Sequence, residues 1–263
     1  MNIFNYSLCY FCIMRSFKIL LVNDDGYKAM GINILDKVLS EAGHEVWVLA
    51  PESQRSACSH AISLSKRIAV IKNSERHYYC EGFPADCVLF ADKGVIPQMG
   101  KPEIVISGIN HGYNVSTDLV YSATAGGAAE GALRGYPSFA VSCSETGLNE
   151  NVFYDAARFM LKHLEEFYSV CEENCFININ VPENSGLKWQ VADVGNMEYY
   201  DNLVKHEQDD TYYIKGTASP RMVDDVVNGT DFHIVHSENK IAVSMIRVLP
   251  AVHEAGQRAL KGL

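Results

Sequence analysis

The fold of this chain is decided by the stretch KILLVNDDG, which runs from Lys18 to Gly26. Four consecutive aliphatic residues without a turn former predict a buried strand of a parallel sheet, and Gly26 supplies the turn that ends it. Side chains alternate between the two faces of a strand, so Asp24 and Asp25 can reach one point only where the chain bends. Two adjacent carboxylates repel each other, which raises one pKa or attracts a cation. We therefore expect a hard divalent metal at this turn.

The composition is that of a folded globular protein. The chain has 263 residues, of which 48% are hydrophobic and 21% are charged, enough for one large domain or a domain with an appendage. A formal net charge of −10 argues against a nucleic-acid duplex as a partner. A small phosphorylated substrate remains compatible with that charge, because a bound metal reverses the local sign. No apolar run reaches the ~18 residues that would predict a membrane span.

The eight cysteines do not predict a zinc site. Cys9 and Cys12 are spaced as Cys-x-x-Cys, but no second pair at that spacing follows. We interpret the cysteines as buried or idle cytosolic thiols. Residues 1–13 contain no lysine or arginine and no small-residue cleavage site, so they do not form a signal peptide. We predict that they are an N-terminal extension, that natural translation begins at Met14, and that the protein is cytoplasmic.

Strand and helix patterns alternate over residues 14–185. A helix-spaced apolar pattern from Ile32 to Leu39 separates the first strand from a second at Glu45–Leu49. Together these three elements predict a right-handed βαβ unit. The alternation predicts an α/β core with a doubly wound, mostly parallel, Rossmann-like sheet. Further strands are predicted at Ile62–Leu64, Ile68–Ile71, His77–Cys80, Glu103–Ser107, Ser138–Ser142 and Cys175–Val181, and further helices at Pro84–Phe90, Ser122–Leu133 and Val152–Phe167.

Residues 186–263 have a different pattern, which predicts an added β-rich region. Strand-like runs occur around Trp189 and at Tyr212–Lys215, Phe232–Val235 and Ile241–Val248. The last two runs are separated by residues 236–239, a predicted hairpin turn. We interpret this region as an oligomerisation arm.

Polar side chains follow three of the predicted strands. Asp24 and Asp25 end the first strand, Ser56 lies in the loop after the second, and Asn110 follows the Glu103 strand. The carboxyl ends of parallel strands meet at one edge of a sheet, where ligands bind. Carboxylate, hydroxyl and amide oxygens are the donors that Mg²⁺ or Mn²⁺ accepts, and the absence of thiolate and imidazole from this set disfavours zinc.

A predicted helix N-terminus adds an anion site beside these donors. Ser122 and Thr124 open a helix whose free N–H groups and dipole attract negative charge. Gly126 and Gly127 permit a close approach of backbone or ligand. A metal next to an anion site predicts a phosphate ester as the substrate.

Taken in order, these segments resemble the SurE-type survival proteins, which are metal-dependent nucleoside monophosphate phosphatases. The resemblance extends from about residue 17 to residue 249. It is carried by Asn23–Gly26, Ala50-Pro51 with Arg55-Ser56, Gly82–Val88, Ser107–Asn110 with Gly112 and Asn114, Tyr121–Thr124, Glu130-Gly131, Asn178–Pro182 and Gly229–Asp231.

The resemblance implies a 5′/3′-nucleotidase that hydrolyses nucleoside monophosphates to nucleoside and phosphate. It implies one divalent metal per subunit, Mg²⁺ or Mn²⁺ with Ca²⁺ as another occupant, and a homodimer or homotetramer with an exchanged C-terminal arm. The implied metal ligands are Asp24, Asp25, Ser56 and Asn110; Asp24, Asp25 and Asn110 are also the predicted catalytic residues, and Asn23, Gly108, Ser122, Thr124 and His60 are the predicted phosphate or substrate contacts. Whether Asp24 or Asp25 accepts the proton of the attacking water stays open.

Four residues depart from the family pattern. Ala57 and Ala123 stand where the family usually has glycine, and His111 and Tyr113 are bulkier than the usual residues. These changes bear on substrate preference more than on the metal ligands.

Other functions fit the sequence less well. A receiver module would need an acceptor aspartate after the Glu103 strand, and this chain is about twice too long for one. An aspartyl-phosphate phosphatase needs two aspartates separated by one residue, whereas Asp24 and Asp25 are adjacent. The glycine motif of a nicotinamide-binding enzyme and the nucleophile elbow of a serine hydrolase are absent from the sequence. Taken alone, Asp24-Asp25-Gly26 is equally well explained by a solvated turn. Ser56, Asn110 and Ser122, each taken alone, are better explained by a loop hydroxyl, a turn and a helix cap.

Overall fold

The computed structural model describes residues 15–144, 149–206, 210–222 and 228–250. The predicted extension at residues 1–13, the predicted start at Met14, and the Cys9 and Cys12 pair lie outside the described residues. Within the described part of the chain, no helix has the length and apolar character needed to span a membrane.

A nine-stranded sheet forms the centre of the protein. The described residues form eleven strands, of which all but β9 and β10 belong to this sheet. They are β1 (Lys18–Val22), β2 (Glu45–Pro51), β3 (Val70–Lys72), β4 (His77–Cys80), β5 (Ile104–His111), β6 (Ser138–Cys143), β7 (Cys175–Val181), β8 (Trp189–Val191), β9 (Met197–Lys205), β10 (Tyr212–Met222) and β11 (Ile241–Arg247). The order in the large sheet is β3-β4-β2-β1-β5-β6-β7-β11-β8. Neighbours are parallel except at β3–β4 and β7–β11. The predicted doubly wound, mostly parallel sheet is confirmed.

Helices cover both faces of this sheet. They are α1 (Met30–Glu41), α2 (Pro84–Asp92), α3 (Asp118–Tyr121), α4 (Ala123–Leu133), α5 (Glu150–Val170) and α6 (Asp231–His236). Ile19 and Leu21 of β1 belong to one apolar cluster with α1 and α5, while Leu20 and Val22 belong to another with α2. Because β1 is buried on both faces, its sequence is an unbroken aliphatic run rather than an alternating one.

The predicted strand at Phe232–Val235 is wrong, and so is the hairpin that it would form. These residues lie in α6, and the Thr230 hydroxyl caps that helix by accepting a hydrogen bond from the His233 N–H at 3.4 Å. Asp231 in the first turn also favours a helix N-terminus. Four alternating residues are too few to separate a strand from a short helix, so the cap decides.

The C-terminal residues contribute to the central sheet as well as extending from it. β11 pairs antiparallel with β7 and parallel with β8, so the region predicted at residues 186–263 is not separate from the core sheet. Among the described strands, only β9 and β10 form a second, two-stranded antiparallel sheet.

Three further predicted strands differ from the structure. No strand forms at Ile62–Leu64, and the predicted strand at Ile68–Ile71 is reduced to the short β3. In contrast, β5 continues past Ser107 to His111. Asn110 therefore lies in a strand instead of in the loop predicted to carry it.

Gly31 sets how closely α1 approaches β5. A Cβ atom built on Gly31 would lie 2.0 Å from the Ile109 carbonyl oxygen, one residue before Asn110. We predict that Gly31→Ala forces α1 away from β5 and lowers the free energy of unfolding by about 1–3 kcal/mol in urea titrations. Lys37→Ala on the exposed side of α1 is the control, with an expected change within about 0.5 kcal/mol. Equal stability of Gly31→Ala and the native protein would contradict this close packing.

Candidate active site

A cleft opens at the carboxyl ends of the central strands. In the sheet order, β1 lies between β2 and β5, so the loops after β2 and the end of β5 flank the turn after β1. The chain leaves β1 towards β2 on one side and returns to β5 on the other, which makes this the switch point of the sheet. The cleft has a volume of about 390 Å³, and its lining includes Asp24, Asp25, Ser56, Asn110 and Ser122. We call it the acidic cleft.

The turn that carries the two aspartates is built by Asn23 and Gly26. The Asn23 side-chain amide donates to the Gly26 carbonyl oxygen at 2.9 Å, and Gly26 has a φ of +98°. Asn23 is completely buried. It does not line the acidic cleft, so its position supports a role in shaping the turn rather than the predicted contact with substrate.

Burial raises the pKa of both aspartates. The pKa of Asp24 rises to about 6 because the side chain is buried; the Thr124 hydroxyl opposes this rise and the neighbouring Asp25 adds to it. Burial also raises the pKa of Asp25, against a backbone hydrogen bond from the His111 N–H at 3.3 Å. None of the ion pairs formed by the described residues includes Asp24 or Asp25. Neither carboxylate therefore has an ion-pair partner among the described residues, although the nearby His111 side chain acts electrostatically to lower the pKa of Asp25.

Asn110 reaches the cleft through an irregularity in β5. The pairing register between β5 and β6 shifts between Gly108 and Asn110. A Cβ on Gly108 would lie 2.2 Å from the Val141 carbonyl oxygen, and Gly108 has a φ of +138°, so only glycine fits there. Gly108 is absent from the cleft lining, which makes it a structural residue. The Asn110 amide nitrogen donates to the Gly112 carbonyl oxygen at 2.9 Å, so the amide oxygen is the atom suited to a cation.

The loop after β2 brings Ser56 to the cleft. Ser56 is exposed, and its hydroxyl oxygen accepts a hydrogen bond from the Gln54 amide at 3.0 Å. The next residue, Ala57, has a φ of +56°, which lies in the left-handed region that L-residues other than glycine rarely adopt. This conformation gives a physical reason for the glycine that the family usually has at that position.

Helix α4 reaches the cleft with its first turn. Ser122 is the N-cap and accepts a hydrogen bond from the Ala125 N–H at 3.0 Å. The hydroxyl of the fully buried Thr124 donates to Asp24 Oδ1 at 2.6 Å. Thr124 therefore orients an aspartate, and of these two residues only Ser122 lines the acidic cleft.

His60 does not line the acidic cleft. Its ring nitrogen Nε2 lies 2.8 Å from Glu130 Oε2 on α4, and the ring borders a neighbouring cavity of about 590 Å³. His60 therefore lies outside the cleft, where it would not contact a bound phosphate directly.

Several cleft residues were not assigned from the sequence. Tyr121 and Asn114 belong to the segments that carry the family resemblance. Their proximity in sequence to Ser122 and Asn110 could have indicated that they line the cleft. His111 and Tyr113 were noted only as departures from the family pattern. The additional lining residues are Gln54, His111, Tyr113, Asn114, Asp118 and Tyr121.

The donor set of the acidic cleft fits a hard divalent cation. The four predicted donors, which are two carboxylates, an amide oxygen and a hydroxyl, border one cavity, and Asp118 adds a third carboxylate to its lining. Such oxygen ligands are typical of Mg²⁺ and Mn²⁺. No group of three or more His, Cys, Asp and Glu side chains within the described ranges is placed to hold a metal.

The left-handed conformation of Ala57 leads to a prediction about stability. Ala57→Gly should raise the free energy of unfolding by about 1 kcal/mol, because glycine has no Cβ and so adopts this conformation without the steric clash that the alanine Cβ makes. Ala42→Gly is the matched control, since Ala42 is also exposed but has a φ of −79°; there glycine should destabilise the protein by a few tenths to about 1 kcal/mol. Thermal or urea unfolding measures both variants. A loss of stability in Ala57→Gly would show that the loop does not hold Ala57 in this conformation.

Comparisons with known proteins agree with this architecture. The family described as "Survival protein SurE" matches residues 19–201. A protein named 5′-nucleotidase SurE from Methylobacillus flagellatus is 36% identical over 237 residues, which cover 88% of this chain and 93% of that protein. The 5′-nucleotidase SurE of Desulfitobacterium hafniense is 39% identical over 214 residues, covering 78% and 82%. The crystal structure of the SurE protein from Aquifex aeolicus superposes with a TM-score of 0.78 at 28% identity, covering 93% of this chain and 98% of that one. This chain belongs to the SurE family of survival proteins.

Proposed function

We propose that this protein is a divalent-metal-dependent phosphomonoesterase that hydrolyses nucleoside monophosphates to nucleoside and inorganic phosphate. The observation that carries the proposal is the acidic cleft, in which two carboxylates without an ion-pair partner among the described residues lie beside the N-terminus of α4. Relatives from two bacteria are named 5′-nucleotidases. The cavity volume of about 390 Å³ is within the range of small-molecule sites.

Asp24, Asp25, Ser56 and Asn110 would hold the cation. When bound, a divalent cation supplies Lewis acidity towards the phosphoryl oxygens and offsets the charge of the aspartates. That offset matters because a phosphate dianion would otherwise be repelled by two carboxylates. The Thr124 hydroxyl binds Asp24 Oδ1 at 2.6 Å and keeps this carboxylate in a single orientation.

The first turn of α4 binds the phosphate of the substrate. The positive end of the helix dipole favours an anion there, although the Ala125 N–H already donates to the Ser122 hydroxyl oxygen and the Thr124 backbone to Asp24. The Ser122 oxygen already accepts a hydrogen bond from the Ala125 N–H, but its own O–H can donate to a phosphate oxygen. The substrate ester is thereby oriented between Ser122 and the two aspartates.

Asp25 is the carboxylate with better access to an attacking water. Asp24 is only 4% exposed and is held by Thr124, whereas Asp25 is partly exposed in the cleft. We assign to Asp25 the acceptance of the proton from the water that attacks phosphorus. The bond between phosphorus and the ester oxygen breaks in the same reaction, and the ester oxygen takes up the proton that Asp25 accepted, directly or through solvent, so that it leaves as the nucleoside hydroxyl.

A panel of 5′ and 3′ nucleoside monophosphates tests the function. We predict that phosphate release is lost on treatment with EDTA and returns with Mg²⁺ or Mn²⁺, with Ca²⁺ as the third metal compared. Asp24→Asn should lower kcat/KM by at least about 100-fold, because the charge that holds the cation is removed at constant volume. Asp155→Asn on α5 is the control and should keep full activity. Retained activity of a folded Asp24→Asn variant, or activity unaffected by EDTA, would overturn the proposal.

We also propose that the protein acts in the cytoplasm as a homodimer or homotetramer joined through its C-terminal region. In the β9–β10 hairpin, Leu203 pairs with Ile214, and these side chains are 73% and 68% exposed. Tyr212, two residues before Ile214 and thus on the same face, is 60% exposed. An apolar face of this kind on a two-stranded sheet needs a partner surface.

Light scattering during size-exclusion chromatography tests the assembly. We predict a mass of two or four chains for the native protein and a shift towards a single chain for Ile214→Glu, because a charge on this face prevents burial of the hairpin. Val170→Glu at the exposed end of α5 serves as the control and should leave the mass unchanged. A native mass of one chain would overturn the proposed assembly.

A further inference from the structure

The loop that carries Ser56 is attached at both of its ends. We call residues Ser56–His60 the serine loop. Just before it, the Arg55 N–H donates to the Asp24 carbonyl oxygen at 2.6 Å. Near its far end, the Ser59 N–H donates to the Tyr121 carbonyl oxygen at 2.8 Å and the Ser59 hydroxyl to the Val120 carbonyl oxygen at 2.7 Å. The intervening residues have no regular secondary structure, so the position of Ser56 depends on these attachments.

One face of α4 forms the surface on which the serine loop lies. Ser122, Gly126 and Glu130 follow each other at intervals of four residues, which places them in one row along the helix. A Cβ on Gly126 would lie 2.5 Å from the Ser59 carbonyl oxygen and 3.0 Å from the His60 Cα. The absence of a side chain at Gly126 therefore lets the loop backbone lie directly against the helix.

Glu130 is a buried carboxylate with two cationic or hydrogen-bonding partners. It is 4% exposed; Oε2 lies 2.8 Å from His60 Nε2, and Oε1 lies 2.7 Å from Arg134 Nε. Burial acts to raise the pKa of Glu130, but the hydrogen bonds from His60 and Arg134 outweigh it and keep the pKa below its usual value. An ionised carboxylate only accepts hydrogen bonds, so His60 Nε2 carries the proton and donates it.

We propose that Glu130 is a positioning residue which, through its hydrogen bond from His60, holds the serine loop against α4 and so fixes Ser56 beside Asp24 and Asp25. This inference rests on the proposed function, in which Ser56 is one of the oxygen donors to the cation. The same helix orients Asp24 through Thr124. Helix α4 therefore sets the relative placement of donors that lie more than thirty positions apart in sequence (Asp24 and Ser56).

Direct titration of Mn²⁺ into the full-length protein, followed by calorimetry or by electron paramagnetic resonance, tests this role. His60→Leu removes the donor and should weaken Mn²⁺ binding by about tenfold, as expected when a group that orients a metal ligand is lost. His60→Gln replaces the ring N–H by an amide N–H of similar reach and should bind Mn²⁺ within about twofold of the native protein. This rescue separates a positioning hydrogen bond from simple packing of the side chain.

His77 offers a matched control for the His60 variants. His77 Nε2 lies 2.9 Å from Asp36 Oδ2, and the His60 and His77 side chains are each 30% exposed, but His77 does not line the acidic cleft. His77→Leu should therefore leave Mn²⁺ affinity unchanged. Thermal unfolding of each variant shows whether it is folded under the conditions of the titration.

Gly126→Ala provides a second route to the same result. Alanine favours the helix, but its Cβ would displace the Ser59 backbone, so Mn²⁺ binding should weaken in a protein that keeps its fold. Equal Mn²⁺ affinities of the native protein, His60→Leu and Gly126→Ala would overturn the role of Glu130 and leave the proposed function standing. Equally weakened binding in His60→Leu and His60→Gln would also overturn that role. A native protein that does not bind Mn²⁺ would overturn the proposed function and this inference together.

Discussion

The structure depends on one electrostatic constraint, which is the burial of two adjacent carboxylates at the end of the central strand. β1 cannot move to relieve it, because Ile19 and Leu21 pack on one face of the sheet and Leu20 and Val22 on the other. Burial raises the pKa of both aspartates, and no ion pair of the described residues neutralises them. Apolar packing thus holds two carboxylates side by side, which favours either protonation of one of them or the binding of a cation.

The parallel sheet explains how donors from distant parts of the chain share one cleft. β1 lies between β2 and β5, so every loop that leaves these strands at their carboxyl ends opens on the same edge. The first turn of α4 then reaches Asp24 through Thr124. The site is therefore made by the topology of the crossovers and not by any continuous segment.

Glycine and alanine positions show where backbone geometry constrains the site. Gly108, two residues before Asn110, allows the Val141 carbonyl oxygen to approach the β5 backbone closely, and Gly126 allows the serine loop to contact α4. Ala57 occupies a left-handed conformation that glycine would adopt without strain. The departure of Ala57 from the family pattern is thus a cost in backbone energy next to Ser56, and it leaves the identity of the oxygen donors unchanged.

Three of the four strands predicted in the C-terminal region are confirmed, because the runs around Trp189, at Tyr212–Lys215 and at Ile241–Val248 correspond to β8, β10 and β11. The seven residues of β11 alternate long enough to predict a strand. The four residues at Phe232–Val235 alternate in the same way but form part of α6, because the Thr230 cap determines the local conformation. The sequence could not show that β11 joins the central sheet beside β7, since pairing partners far apart along the chain are chosen by packing.

By itself, the sequence determined the buried strand, the acidic turn that ends it, the parallel α/β class and the residue types able to bind a cation, because these follow from local patterns of apolar residues and turn formers. Only the tertiary structure decided which of the predicted residues face the cleft. Asn23 and Gly108 shape the backbone, Thr124 orients Asp24, and His60 contacts Glu130. The reason is physical: a side chain's chemistry is set by its type, but its direction is set by the elements that pack around it.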